Sequence, residues 1–107
     1  MMRRGKVYVK SRFAGIIGES DAGYYFSYDQ AYLGLPDAEP VSVTLPLRNE
    51  PYESKTMIPF FDGLIPEGWL LSITARNWKL DEKDRMGLLL TVCRDCIGAV
   101  RVEGGNA

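Results

Sequence analysis

The sequence predicts an α+β fold, a small antiparallel sheet with about three helices packed on one face. Two observations carry this. The first half consists of short runs in which β-branched and aromatic residues alternate with polar ones between turn-forming residues. In the second half, helix-forming stretches follow proline and aspartate start signals. At 107 residues, with 46% hydrophobic and 25% charged residues, the chain has the composition of one globular domain spanning residues 1–107.

Lys6-Val7-Tyr8-Val9-Lys10 alternates as a strand, and Ser11-Arg12 makes a tight turn into a second strand over residues 13–18. Asp21-Ala22-Gly23 is the next turn, and the aromatic run Tyr24-Tyr25-Phe26-Ser27-Tyr28 is a third strand, giving a meander. Residues 30–33 read as a short helical piece before a loop containing Gly34, Pro36 and Pro40. Alternation in Val41-Ser42-Val43-Thr44-Leu45 predicts a fourth strand, and the polar stretch 46–56 an exposed crossing loop.

Residues 57–65 are expected to form a short helix, and Pro66 is placed as the first-turn proline of a second helix over 67–78. Asp81, with Asp84 three residues on, resembles an N-cap for a third, buried helix through 86–92. Residues 99–103 close the fold as a strand, and residues 103–107 are expected to fray as a tail.

Charge and composition narrow the function. Thirteen basic and fourteen acidic residues give a net charge of −1, so no general field draws the chain to nucleic acid or to an anionic membrane. The basic cluster Arg3, Arg4 and Lys6 reads as a solvated terminus. No apolar run reaches the roughly 18 to 20 residues of a membrane span, and the expected location is the cytoplasm.

The sequence contains no histidine, which removes the commonest general base and metal ligand. None of Ser11, Ser20, Ser27, Ser42, Ser54 or Ser72 sits in a nucleophile elbow. Cys93-Arg94-Asp95-Cys96 has the spacing of a redox or zinc motif, but it lacks a second ligand pair and follows a predicted helix instead of opening one. These cysteines read as structural thiols. Phe61-Asp62-Gly63 holds the letters of a kinase metal motif in the wrong order and without a Gly-rich loop. Asp81 and Glu82 are helix-start charges. No cofactor, metal or catalytic residue is expected, and the function left is protein binding.

Residues 57–71 stand apart from this background. At about 100° per residue, Trp69, Leu70 and Ile73 share one side of the second helix, while Leu71, Ala75 and Trp78 share the other. One apolar face covers the sheet; the other is covered by the third helix or left for a partner. Gly68, in the first turn, leaves the backbone approachable. Trp69 is thus either an interface residue or a core residue packed with Ile73.

Several blocks then fall into a known order: Val7-Tyr8-Val9, Phe26-Ser27-Tyr28, Ser42-Val43-Thr44-Leu45-Pro46-Leu47, Pro59-Phe60-Phe61-Asp62-Gly63-Leu64-Ile65-Pro66-Glu67-Gly68 and Arg94-Asp95-Cys96-Ile97-Gly98-Ala99-Val100. Together they resemble the N-terminal subdomain of HipA-type serine/threonine kinase toxins, across nearly the whole chain. The sequence stops after the last block without a kinase core, and a free-standing copy is similar to the HipS-like proteins of HipBST toxin–antitoxin systems. The resemblance implies an antitoxin that neutralises a HipT-like kinase, with a HipB-like DNA-binding protein as a further partner. For such a partner the residues expected to bind are Trp69, projecting from the helix start after Pro66, Glu67 and Gly68, with Phe61 and Asp62. The alternative the resemblance leaves is a non-inhibitory accessory subunit that completes the kinase fold or assists the HipB-like repressor. Within the family pattern only Cys96 of the two cysteines matches, consistent with structural thiols.

Overall fold

In the computed structural model, residues 3–65, 84–92 and 100–104 are described. Their strands form a five-stranded antiparallel sheet in the order β4-β3-β2-β1-β5. The strands are β1 (Arg4–Val9), β2 (Arg12–Ser20), β3 (Gly23–Tyr28), β4 (Tyr52–Ser54) and β5 (Val100–Gly104). Three helices are described: α1 (Gln30–Leu33), α2 (Pro59–Asp62) and α3 (Arg85–Val92).

The alternation that predicts the first strands also decides their faces. Val7, Val9, Ile17, Phe26, Tyr28 and Val102 turn inward and are buried, while Lys6, Tyr8, Ile16, Tyr25, Ser27 and Arg101 are only half-buried. Between Val7 and Tyr8 the register with β2 shifts, Val7 facing Gly15 and Tyr8 facing Phe13. Ala14 is the extra residue of this bulge, and its carbonyl accepts from Asp29 N–H at 2.8 Å, turning the chain into α1.

Buried residues of the helices complete the core: Tyr32 from α1, Phe61 from α2, and Met86, Leu88 and Leu89 from α3. Each such apolar side chain contributes about 1.5–3 kcal/mol by leaving water. α3 sits closely on the β1–β5 pair because Gly5 and Gly104 face each other there. A Cβ on Gly5 would lie 2.4 Å from Leu90 Cδ2 and 3.0 Å from Val102 Cγ1, so a larger residue there would require Leu90 to shift. Among the described residues, no helix is long and apolar enough to cross a membrane.

Four expectations change. Residues 41–45 are a turn instead of a strand: Leu45 N–H donates to Ser42 C=O at 3.0 Å, and Val41 and Leu45 both point inward while Val43 points out. The fourth strand is Tyr52–Ser54, inside the stretch read as an exposed loop, where Tyr24, Tyr25 and Phe26 pair with Ser54, Glu53 and Tyr52. Glu103 and Gly104 are not frayed, because they pair with Lys6 and Gly5. The cap of α3 is Asp84, whose Oδ1 accepts from Gly87 N–H at 3.1 Å. Asp81, the predicted second helix and the Cys93–Cys96 pair lie outside the described residues.

Candidate functional site

The motif block that points to a partner opens on α2. Pro59 supplies a fixed φ at the first helical position, after Ile58, and Gly63 closes the single turn. Phe61 is fully buried, its ring 5.2 Å from that of Phe26 and 5.1 Å from that of Phe60. This corrects its assignment as a contact residue: in the folded chain its ring anchors the segment to the sheet and offers no surface. Ile65 is buried as well, held by its N–H to Asp62 C=O at 3.1 Å.

Asp62 does reach the surface. Its Oδ1 accepts from Arg85 Nε at 2.7 Å, with the carboxylate side chain 44% and the guanidinium 27% exposed. Pro66, Glu67, Gly68 and Trp69 lie outside the described residues. What is described is the anchor before them, Phe61 and Ile65 in the core, and the point after them where Asp84 and Arg85 begin α3.

A second ion cluster fixes that point. Arg3 spans two carboxylates, donating from Nε and Nη2 to Glu19 at 2.9 and 2.8 Å and from Nη1 and Nη2 to Asp84 at 2.8 and 2.7 Å. These bonds hold the Glu19 and Asp84 carboxyls below the usual carboxylate range and raise the pKa of the guanidinium, the bonds to Asp84 most strongly. The cluster therefore reads as structural: one guanidinium just before β1 bridges two carboxylates, Glu19 on β2 and Asp84 at the start of α3.

A third feature was missed at the level of sequence. Three tyrosines pin the loop between α1 and β4. Tyr32 Oη donates to Glu39 C=O at 2.6 Å and accepts from Glu39 N–H at 3.1 Å. Tyr28 Oη accepts from Val41 N–H at 2.9 Å and donates to Leu45 C=O. Tyr52 Oη donates to Pro46 C=O at 2.5 Å, and Arg48 lies 3.7 Å over the Tyr52 ring. The only signal in the sequence is the number of tyrosines entering and leaving the loop.

The described surface also carries a cleft of about 220 Å³ lined by Ser20, Ala22, Tyr24, Glu53, Ser54 and Lys55. It is smaller than usual ligand sites. No cluster of three or more potential metal ligands occurs among the described residues.

Comparisons with known proteins agree with the fold. The profile of the "HipA N-terminal domain" family matches residues 5–103. An uncharacterised protein of Haemophilus influenzae (strain Rd) is 35% identical over 103 residues, covering 96% of this chain and 93% of that protein. The candidate kinase Y4mE of Sinorhizobium fredii (strain NGR234) is 32% identical over 77 residues, which are 72% of this chain and 18% of that protein. Among solved structures, one described as the N-terminal domain of HipA toxin is 32% identical, with a TM-score of 0.73 over 97% of this chain and 93% of that one.

Proposed function

The chain belongs to the HipA N-terminal domain family, and on that premise we propose that it is an antitoxin-type protein that binds and neutralises a HipT-like serine/threonine kinase. It performs no catalysis itself. Contact is made by the Pro66-Glu67-Gly68-Trp69 segment with Asp62 beside it, and Trp69 enters the kinase at or near its active site.

The observation that carries this reading is the occurrence of one domain in two settings. It makes up nearly all of the Haemophilus relative and 18% of a chain described as a candidate kinase. A domain attached to a kinase body has that body as its permanent neighbour. A separate copy of the domain is then suited to occupy the same kind of surface from outside, where a large aromatic side chain supplies most of the binding energy.

Co-expression tests the proposal. The chain should restore growth to cells poisoned by the kinase, and the two proteins should co-purify, with a HipB-like protein joining them. Unchanged or increased toxicity despite a stable complex would instead establish the accessory-subunit role.

A further inference from the structure

From the loop between α1 and β4, we infer a second contact on the kinase, separate from the Trp69 segment, with Val43 as its apolar tip. This rests on the reading of the partner as a kinase.

Among the described residues the exposed large hydrophobic side chains are Leu35, Val43 and Leu47, and all three lie in this one loop. Val43 is 92% exposed. It sits in the turn closed by Ser42 and Leu45, where glycine, asparagine, aspartate or serine is the residue local folding favours. A β-branched apolar side chain gains the fold nothing there.

The loop is nevertheless held tightly. The hydroxyls of Tyr28, Tyr32 and Tyr52 bond its backbone at Glu39, Val41, Leu45 and Pro46. Ser42 Oγ pairs with Thr44 Oγ1 at 2.9 Å directly across Val43. Buried Val41 and Leu45 root the turn on either side. An apolar tip on a backbone already ordered loses little conformational freedom on binding, which is the property of a preorganised contact.

The occupant we assign is the kinase body. In the relative where this domain is part of a longer chain, that body is covalently attached, at an effective concentration no diffusing protein matches. The loop is rooted on β3 and β4, at the opposite edge of the sheet from β5, where α3 packs. Contacts from two segments well separated in the sequence fix the domain's orientation on a partner as one cannot.

The test uses the full chain and a purified HipT-like kinase from the same host, with affinity measured by calorimetry for the wild type, Val43→Asp and Val43→Ile. Val43→Asp should weaken binding at least about tenfold, with an unchanged thermal midpoint, and Val43→Ile should bind like the wild type. If the wild type binds and Val43→Asp stays within about twofold of it, the loop contact is overturned and the kinase reading stands. No binding by the wild type overturns both. Sedimentation supplies the last outcome: a wild-type dimer that Val43→Asp dissociates, with kinase affinity unchanged, assigns the tip to a second copy and overturns the inference.

Discussion

The carboxylate of Asp62 accepts a 2.7 Å hydrogen bond from Arg85 Nε, joining the last residue of α2 to the first residue of α3. The pair is 23 residues apart in sequence, so it closes the base of the stretch that contains Trp69. Phe61 and Ile65 tie one end of that stretch to the core, and Arg3 ties the other through Asp84. The segment proposed to meet the kinase thus leaves and returns at fixed points.

Because both members of the Asp62–Arg85 pair face solvent, their attraction is screened, and such pairs contribute about 0.2–1 kcal/mol. Asp62→Ala and Arg85→Ala should each lower stability by less than about 1 kcal/mol. A double-mutant cycle in urea measures the coupling, and a value above about 2 kcal/mol would mean that the pair is far better shielded than its exposure implies.

Trp69→Ala should abolish neutralisation in cells and weaken kinase binding by about 30-fold or more, while leaving the far-ultraviolet spectrum and unfolding midpoint intact. Trp78→Ala is the control: sequence spacing puts it on the helix face opposite Trp69, and if that face covers the sheet the loss is about 3–5 kcal/mol of stability. Full protection by a folded Trp69→Ala protein removes the insertion mechanism.

Acid should release the Arg3 cluster. Glu19 and Asp84 have folded pKa values below their unfolded ones, so their contribution is complete at neutral pH and is lost as pH falls through those lowered values, below about 4. Arg3→Met should therefore reduce stability at pH 7 by about 1 kcal/mol, allowing for the partial exposure of the cluster. Its denaturation midpoint should fall less steeply than that of the wild type between pH 5 and about 3. Parallel curves would show that the cluster is not the acid-sensitive element.

Tyr28→Phe removes one hydroxyl but leaves two buried backbone groups, Val41 N–H and Leu45 C=O, without their partner. Each such orphan costs about 1–3 kcal/mol. A loss of about 2–4 kcal/mol is expected, with faster hydrogen exchange at Val41 before any change in β1 or β2. Unaltered exchange would show that the loop is held without Tyr28.

Much of this fold is legible in the sequence. Val7 and Val9, or Phe26 and Tyr28, keep strict two-residue alternation beside turn residues, and there the pattern corresponds to a strand with one buried face. The same alternation misleads at Val41, Val43 and Leu45. There the two outer residues reach the core at the ends of a turn, a spacing that a strand also permits. Tyr52–Ser54 has too few apolar residues to announce itself, and its pairing is decided by β3 alongside. Phe61 looked like a contact because it sits in the motif block; only the packing against Phe26 shows it to be the anchor. The Asp62–Arg85 and Tyr28–Leu45 pairs link residues whose distance in space no local pattern encodes.

The neighbouring positions of β1 and β5 have a consequence for how the protein is made. Val7 and Val102 pair on neighbouring strands, so this edge of the sheet cannot be completed until residues 100–104 have been made. Until then β1 carries an open edge, the state from which misassembly and aggregation start. Pairing between strands so far apart in sequence raises the contact order, which slows folding relative to a helical domain of the same size. The edge stays open until Val100–Gly104 pairs with Gly5–Val9.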